Sequence, residues 1–511
     1  MLKKIGGEAM KAKITVNKKY SIGEIDRRIY GSFIEHVGRA VYEGIYEPTH
    51  PTADDCGFRG DVLDLVKKLN IPIIRYPGGN FVSGYNWEDG TGDKASRPQR
   101  MDLAWGAVES NQVGIDEFQE WAKRADSSVM MAVNLGTRGM DEARNCVEYC
   151  NSTTDTYYAN KRRENGFEEP FGVKVWCLGN EMDGPWQLGH KTAEEYGHLA
   201  AETAKMMKRA DRTIELVACG ATGYSRSGEW EYKMLDYTYP YVDYISLHTY
   251  FQNNENNTPR YLAQIEDAED YIKGVIAMCD AVKAKKKSKK TINLSYDEWN
   301  VWYHSIPTDR ANRDADRWKE ARHQVEDVYN FEDALIVGCM LMTLQNHCDR
   351  VKMACLAQLV NVIAPIMTEA GGKAWVQTIF YPFFYASNYG NGKTLRTITE
   401  SETYDVEGRK GIPYLVTSVI YNEEAGEVTV FAANRSLEED MEPELELDGF
   451  ECCKLIEHIE LYSDDLKAIN DKDTERVAPA NVKTNADGKI MLKKHSWNML
   501  RYSVDTSDQH Q

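Results

Sequence analysis

An apolar run breaks into an amide and a carboxylate along Trp176-Cys177-Leu178-Gly179-Asn180-Glu181-Met182-Asp183-Gly184-Pro185-Trp186. Its first part is short, apolar and followed by glycine, which is typical of a buried β-strand. A second segment of the same form reads Leu294-Ser295-Tyr296-Asp297-Glu298-Trp299-Asn300-Val301-Trp302. Each segment therefore predicts a strand whose C-terminal end carries a glutamate among tryptophans.

Six further strand candidates accompany these two, and longer amphipathic patterns separate them. The eight predicted strands lie at residues 30–36, 71–76, 129–135, 173–179, 214–219, 242–247, 291–296 and 351–356. The predicted helices between them include residues 61–69, 116–125, 193–210, 261–285 and 325–344. Eight repeated units of strand followed by helix predict an α/β fold, a (β/α)8 TIM barrel.

The pattern changes after about residue 387. Residues 414–421, 427–433 and 444–447 alternate or are β-rich, and no long helical period returns. This predicts a C-terminal all-β sandwich, or jelly-roll, domain. Residues 12–16 also form a strand pattern, so we predict that residues 1–24 join the sandwich, that residues 25–386 form the catalytic barrel and that residues 387–511 form the sandwich.

The composition limits the class of protein. The chain has 511 residues, a net charge of −19, 42% hydrophobic and 11% aromatic residues, which together predict a folded protein of several domains that does not bind nucleic acid. The N-terminus lacks the apolar run of a secretory signal, and no apolar run is long enough to cross a membrane, so we predict a cytoplasmic protein. The eleven cysteines are an odd number scattered through apolar segments, which favours reduced thiols over disulfides or a metal site.

The two glutamates are candidates for acid–base chemistry. The catalytic face of a (β/α)8 barrel lies at the C-terminal ends of its strands, so Glu181 and Glu298, three strands apart, are predicted to face each other. Two carboxylates that flank one bond are the groups that glycoside hydrolysis requires. Apolar neighbours would keep one of them protonated, and Arg75 is a candidate charge to keep the other ionised. One such glutamate alone would more often be a helix-capping or surface residue.

Six motifs carry a resemblance to a known family, and they span residues 30 to 365 in the family's order. They are Gly31-Ser32-Phe33-Ile34-Glu35-His36, Arg75-Tyr76-Pro77-Gly78-Gly79-Asn80-Phe81-Val82-Ser83-Gly84-Tyr85, Gly179-Asn180-Glu181-Met182-Asp183-Gly184-Pro185-Trp186, Ser246-Leu247-His248-Thr249-Tyr250, Asp297-Glu298-Trp299-Asn300-Val301-Trp302-Tyr303 and Ala357-Gln358-Leu359-Val360-Asn361. On these motifs the chain resembles the α-L-arabinofuranosidases of glycoside hydrolase family 51, which are retaining hydrolases with (β/α)8 barrels.

The resemblance implies a role for each matching residue. It implies that Glu181 is the general acid/base, that Glu298 is the nucleophile and that Asn180 binds the sugar 2-hydroxyl. The other implied substrate-binding residues are Arg75 and Tyr250, which would hold and orient the nucleophile, Glu35, Asn80 and Gln358, which would bind the remaining hydroxyls, and Trp105 and Trp302, which would form the pocket walls. The resemblance further implies a C-terminal jelly roll and a homo-oligomer, often a hexamer, with no cofactor and no metal.

Three functions are open on the sequence. The first is a cytoplasmic, exo-acting retaining α-L-arabinofuranosidase that releases terminal arabinofuranose from arabinan or arabinoxylan oligosaccharides. The second keeps the fold and the carboxylates but acts on β-xylosides or β-glucans. The third is a catalytically silent sugar-binding barrel, although the presence of both glutamates and Asn180 argues against it. The charged residues 304–318 are open to two interpretations, a solvated loop or a rim over the site.

Overall fold

The computed structural model describes residues 9–483 and 489–504. Parts of the predicted domains 1–24 and 387–511 lie outside the described residues, namely residues 1–8, 484–488 and 505–511. The strands are β1 (Met10–Glu24), β2 (Gly31–Phe33), β3 (Ile73–Tyr76), β4 (Arg100–Asp102), β5 (Ala107–Glu109), β6 (Ser128–Val133), β7 (Val175–Leu178), β8 (Glu215–Ala218), β9 (Tyr244–Phe251), β10 (Asn293–Val301), β11 (Val351–Ala357), β12 (Ile366–Thr368), β13 (Ala374–Val376), β14 (Lys393–Glu400), β15 (Thr403–Val406), β16 (Arg409–Pro413), β17 (Leu415–Asn422), β18 (Glu427–Asn434), β19 (Met441–Asp448), β20 (Lys454–Leu461), β21 (Pro479–Asn481) and β22 (Ser496–Ser503).

The helices lie mostly between the barrel strands. They are α1 (Gly60–Leu69), α2 (Ile115–Arg124), α3 (Met140–Asn151), α4 (Tyr157–Glu164), α5 (Ala193–Ala210), α6 (Glu229–Thr238), α7 (Thr258–Leu262), α8 (Gln264–Lys285), α9 (Ile306–Ala311), α10 (Phe331–Asn346) and α11 (Phe380–Tyr389). Short 3-10 helices occur at Arg27–Tyr30, Asn80–Gly84, Trp87–Gly90, Lys94–Ser96 and Tyr224–Arg226. Among the helices in the described part of the chain, none has both the length and the apolar character of a bilayer-spanning segment.

Eight parallel strands close into a barrel in the order β10-β11-β2-β3-β6-β7-β8-β9. Each of these strands overlaps one of the eight predicted ones, and the fold-class prediction of a (β/α)8 TIM barrel with a C-terminal β domain is confirmed. The strands that precede Glu181 and carry Glu298 are β7 and β10, which are separated by β8 and β9. The ring therefore places the two glutamates on the same rim, three strand positions apart.

The C-terminal domain is a sheet of eight strands in the order β19-β1-β14-β17-β18-β22-β20-β21. Its N-terminal strand β1 pairs parallel with β19 and antiparallel with β14. Met10, Ala12, Ile14 and Val16 alternate with more exposed residues, so one face of β1 enters the apolar core of the domain. This pairing places β1 in the C-terminal sheet, whereas the boundary predicted after residue 386 falls inside α11, and the predicted domain bounds stay a prediction.

Helix α10 joins the two domains, because it packs against β17, β18 and β22 of the sheet as well as against β10 of the barrel. Its residues from Phe331 to Gln345 are all buried, which explains why the sequence is apolar on every side of this helix. Gly338 permits the close approach of Trp497, since a Cβ at this position would lie 2.3 Å from the indole ring.

Two predicted helix boundaries are wrong. The helix predicted at residues 325–344 begins six residues later, because Asn330 and Asp333 form a reciprocal capping box at its N-terminus. The single helix predicted at residues 261–285 is instead the pair α7 and α8. Helix α7 begins at Thr258 because the Asn257 side chain accepts a hydrogen bond from the Arg260 amide (3.2 Å) and Pro259 lies in the first turn.

Candidate active site

The C-terminal rim of the barrel brings together most of the residues that the sequence predicts as functional. Direct hydrogen bonds join Arg75 to Glu298 and Asn180, Tyr250 to Glu298, and both Trp105 and Gln358 to Glu35. Trp302 contacts Tyr250 edge to face, with 5.3 Å between ring centroids. Asn80 opens the 3-10 helix next to this cluster, but its side chain makes no hydrogen bond to the other predicted residues in the ranges that the structure describes.

Glu181 and Glu298 converge closely. One carboxylate oxygen of each and one ring nitrogen of His248 all lie within 4.8 Å of one another. Both glutamates are largely buried, with 9% and 8% of their surface exposed. Carboxyl groups about 5–5.5 Å apart are typical of retaining glycosidases, whereas about 6.5–9.5 Å leaves room for a water between them. The approach of the nearest oxygens to within 4.8 Å is consistent with direct attack by one carboxylate.

Both oxygens of Glu298 accept hydrogen bonds. Arg75 donates to Oε2 and the Tyr250 hydroxyl donates to Oε1, each at 2.8 Å. Burial opposes the positive charge of Arg75, but the carboxylates of Asp297 and Glu298 outweigh this effect and hold its pKa well above the usual value. Arg75 also donates to Asn180 Oδ1 at 2.6 Å. One buried guanidinium thus holds both the Glu298 carboxyl group and the Asn180 side-chain amide in place.

Glu181 lies in a strained turn after β7. Its φ of 45° falls in the left-handed region, which costs a residue other than glycine about 1–3 kcal/mol and occurs often at functional sites. Its two oxygens contact Trp186 Nε1 at 2.9 Å and His248 Nδ1 at 3.1 Å. Burial and the negative charge of Glu298 raise the pKa of Glu181, although the contacts with His248 and Trp186 oppose the rise. A carboxyl group with a raised pKa can keep a proton that it later donates.

His248 was not among the predicted site residues, yet it bridges two carboxylates. Its Nδ1 lies 3.1 Å from Glu181 and its Nε2 lies 3.0 Å from Asp297. Burial opposes protonation of the imidazole, but the charges of Glu298, Asp297 and Glu181 together raise its pKa to about 10. The sequence did contain a signal for it, because Ser246, His248 and Tyr250 alternate along β9 and therefore share one face.

The contacts of His248 also affect whether this cluster could bind a metal ion. Glu181, His248 and Glu298 have the spacing of potential metal ligands. Both ring nitrogens of His248 already contact carboxylates, Nδ1 with Glu181 and Nε2 with Asp297. These carboxylates raise the pKa of the imidazole, so a metal ion here would have to displace the proton that they hold on Nδ1.

A second group of potential metal ligands is Asp54, Asp55 and Cys56. Arg124 occupies it, since its guanidinium lies 2.6 Å from Asp54, 2.7 Å from Asp55 and 3.0 Å from the Cys56 sulfur. The positive charge that these acids require is thus supplied by the protein itself.

Glu35 follows β2 and lies on the same rim of the barrel. It accepts hydrogen bonds from the Phe81 amide (2.8 Å) and from Trp105 Nε1 (2.9 Å), while Gln358 Nε2 lies 3.5 Å away. The Gly79 position explains the paired glycines of the sequence, since a Cβ there would lie 2.5 Å from a Glu35 oxygen. Burial raises the pKa of Glu35 to about 8, with the nearby negative charge of Glu298 adding to the effect.

The hairpin that carries Trp105, between β4 and β5, is covered by the charged segment after β10. The Arg322 guanidinium donates to the carbonyl oxygens of Trp105 (2.8 Å) and Gly106 (3.2 Å). The Trp318 amide also donates to Gly106, and the Val108 amide donates to Lys319. The end of this segment therefore packs against the hairpin that carries Trp105, while the acidic side chains of Asp314 and Asp316 are exposed.

Two protein-family models match the chain. The model described as the α-L-arabinofuranosidase 1 domain matches residues 65–269, and the model described as the α-L-arabinofuranosidase C-terminal domain matches residues 297–496. The first match includes Glu181 and the second begins one residue before Glu298.

Close relatives and solved structures agree with these matches. The chain is 56% identical over 497 residues to intracellular exo-α-(1→5)-L-arabinofuranosidase 1 of Bacillus subtilis, covering 96% of this chain and 99% of that one. It is 54% identical over 496 residues to intracellular exo-α-(1→5)-L-arabinofuranosidase of Halalkalibacterium halodurans, covering 96% and 98%. The structure of a family 51 α-L-arabinofuranosidase from Bifidobacterium longum superimposes with a TM-score of 0.94 at 39% identity, covering 98% and 100%.

Proposed function

Because this chain belongs to the α-L-arabinofuranosidases of glycoside hydrolase family 51, we propose that it cleaves arabinofuranosides in two steps with retention of configuration. The chain is an exo-acting α-L-arabinofuranosidase. The proposed mechanism assigns the role of nucleophile to Glu298 and the role of general acid/base to Glu181. The observation that supports it most is the approach of one oxygen of each to within 4.8 Å beside a buried Arg75.

In the first step Glu298 attacks the anomeric carbon and the bond to the leaving oxygen breaks. Glu181 gives its proton to that oxygen, so that the leaving group departs neutral. Arg75 and Tyr250 hold both oxygens of Glu298 and so aim the attack. In the second step ionised Glu181 takes a proton from water, the water oxygen bonds to the anomeric carbon, and Glu298 leaves as a carboxylate.

The remaining residues would bind the terminal sugar. Asn180, held by Arg75, would bind the 2-hydroxyl, a contact that strengthens as positive charge develops on the ring. Glu35, Asn80 and Gln358 would bind the other hydroxyls, and the aromatic faces of Trp105 and Trp302 would enclose the ring. A cavity closed in this way would accept one terminal residue, which is what exo action requires.

The finer aspects of the function are proposed from the relatives and from the family. We propose the α-(1→5) linkage of arabinan fragments as the main substrate and the cytoplasm as the location, because two close relatives are named for that linkage and as intracellular. A homo-oligomer, a hexamer in many family members, is proposed from the family resemblance alone. Comparing hydrolysis of α-(1→2)-, α-(1→3)- and α-(1→5)-linked arabinobioses tests the linkage.

A panel of aryl glycosides tests the sugar specificity. We expect kcat/KM for an aryl α-L-arabinofuranoside to exceed that for an aryl β-D-xyloside at least about 100-fold, because a site that hydrogen-bonds several hydroxyls rejects sugars that misplace them. Cleavage of the xyloside with the arabinofuranoside untouched would instead favour the related β-glycosidase function. Binding of arabino-oligosaccharides over hours without any turnover would favour a sugar-binding protein.

The pH profile tests the role of Glu181. Its acid form is required for the first step, so kcat/KM for arabinobiose is expected to fall as the pH rises through the raised pKa of Glu181. The imidazolium of His248 favours the ionised form of Glu181 and therefore lowers that pKa. In His248→Asn this cation is lost, and we expect the alkaline limb of the profile to move to higher pH.

The matched control for that shift is His347→Asn, which removes a His–Glu pair (2.8 Å to Glu269) outside the site. In this variant the alkaline limb of the pH profile should stay at its wild-type position. An alkaline limb that stays or moves to lower pH in His248→Asn would contradict the assignment of the limb to Glu181.

A further inference from the structure

A polar cleft of about 270 Å³ has Tyr250, the hydrogen-bond partner of Glu298, in its lining. Its lining, which we call the amide cleft, consists of Tyr250, Gln252, Asn253, Asn254, Glu255, Asn257, Arg260, Tyr261 and Gln264. Tyr250 donates its hydroxyl to Glu298 at 2.8 Å, so this residue separates the cleft from the nucleophile. Gln252 lies two residues beyond Tyr250, directly after the end of β9 at Phe251.

The amide cleft offers both donors and acceptors to a ligand. Gln264 fixes the backbone of Gln252, because its Nε2 donates to the Gln252 carbonyl at 2.8 Å. Asn254 donates to Gln252 Oε1 at 3.0 Å, and this contact orients both amides. Within the described residues, no protein group bonds to Gln252 Nε2, Asn257 Nδ2 or Asn254 Oδ1. Two donors and one acceptor are therefore left for hydroxyl groups.

The cleft has little net charge. Its two charged residues pair with each other, Arg260 to Glu255 at 2.9 Å. Neutral amides beside a tyrosine face are the groups that bind uncharged polyhydroxy ligands, because amides match hydroxyls in hydrogen bonding and the ring covers the apolar face of a sugar. The volume lies just below the roughly 300–1,000 Å³ of sites for drug-sized ligands, so it suits one or two sugar units.

The floor of the cleft is rigidly supported. Glu332, fully buried at the start of α10, accepts hydrogen bonds from Asn253 (3.0 Å) and Thr258 (2.7 Å). Lys467 of the C-terminal domain forms an ion pair with the same carboxylate. The loop between β9 and α7 is thereby anchored to two other parts of the protein, which keeps the amides in place before a ligand binds.

We propose that the amide cleft binds the leaving group of the substrate beyond its first sugar, that is, the third arabinose of an arabino-oligosaccharide counted from the non-reducing end. This inference rests on the proposed function. Tyr250 would touch the terminal sugar on one side and the distal sugar on the other, so that Gln252 and Asn257 lie out of reach of a disaccharide.

The test compares substrates of increasing length in Gln252→Ala, Asn257→Ser and the double variant. Serine keeps the oxygen that caps α7 while removing the free amide donor. Because two hydrogen bonds are lost, kcat/KM for α-(1→5)-arabinotriose should fall about 5- to 20-fold in the double variant. The values for arabinobiose and for an aryl arabinofuranoside should stay within about twofold, since neither substrate reaches the amide cleft.

The control is Gln119→Ala, an amide that lines a separate cavity together with Phe167 and Phe171. It should leave all three substrates unaffected, and equal thermal midpoints would show that the variants are folded. The proposal would be overturned if the double variant lost kcat/KM equally on all three substrates, or lost none on arabinotriose. It would also be overturned if the wild-type kcat/KM for arabinotriose did not exceed that for arabinobiose. Failure of the proposed function is distinguishable, because the wild-type protein would then leave the aryl arabinofuranoside intact.

Discussion

Replacing Glu298 with Ala is expected to lower kcat for an activated aryl α-L-arabinofuranoside by about 10⁴- to 10⁶-fold, the range found when a covalent nucleophile is removed. Added azide should restore turnover, because the methyl side chain leaves space on the face from which the carboxylate attacks. Azide would attack once, so the product should be the β-L-arabinofuranosyl azide with inverted configuration. Product configuration by NMR, together with the azide dependence of kcat, provides the measurement.

The neighbouring carboxylate supplies the control for this experiment. Asp297 is also buried and bonds to His248 at 3.0 Å, but it makes no hydrogen bond to Tyr250. Asp297→Asn should lose activity without any rescue by azide. Azide rescue of Glu298→Ala that gave a product of retained configuration would show that another group forms the covalent bond.

Replacing Glu181 with Ala should affect substrates according to their leaving groups. General acid catalysis contributes about 10²- to 10⁴-fold, so arabinobiose hydrolysis should fall by this factor. An aryl substrate whose leaving group needs no proton should still form the glycosyl-enzyme rapidly and then accumulate it. Azide would attack that intermediate, and two successive displacements give an azide product of retained configuration. A burst of aryl product followed by slow turnover is the kinetic sign.

Glu35 is the matched control, because it is another buried carboxyl group of the rim and burial raises its pKa to about 8. If it only binds the sugar, Glu35→Gln should lower kcat/KM for good and poor leaving groups by the same factor and show no azide rescue. An inverted azide product from Glu181→Ala, or dependence on the leaving group in Glu35→Gln instead, would reverse the proposed roles.

The barrel and its catalytic rim could be predicted because their signals are local. Each strand is a short apolar run, and the polar residues that follow it mark the C-terminal rim. Helix α5 has the bounds that its amphipathic pattern predicts, and in the structure a capping box of Thr192 with Glu195 begins it. The convergence of Glu181 and Glu298 follows from the order of the strands once the barrel is assumed.

The contacts of His248 could not be predicted from strand periodicity. Alternation places Asp297 and Glu298 on opposite faces of β10, so only one of them should reach the barrel interior. A register shift between Ser295 and Glu298, relative to β9, changes this and lets both carboxylates approach His248. A bulge depends on pairing with neighbouring strands, and no residue in this stretch is a glycine that would mark it.

The covering of the Trp105 hairpin by Arg322 could not be predicted for a different reason. The contact joins residues 217 positions apart through backbone carbonyl groups, which leave no trace in side-chain patterns. The sequence does not decide whether residues 304–318 form a solvated loop or a rim over the site, because charged residues occur in both kinds of segment. The structure shows that the end of this segment contacts the hairpin through the Trp318 amide, and that the Arg322 guanidinium just beyond it adds a second contact.

Strand β1 pairs with β19, and the Lys11–Glu442 ion pair joins residues 431 positions apart. During translation the first strand therefore emerges long before the partners that flank it, and the whole barrel is synthesised in between. Contacts of such high sequence separation form slowly, and an unpaired strand can meanwhile associate with other chains. Completion of this sheet is thus a late folding event, because β1 cannot pair with β19 until the barrel between them has been synthesised.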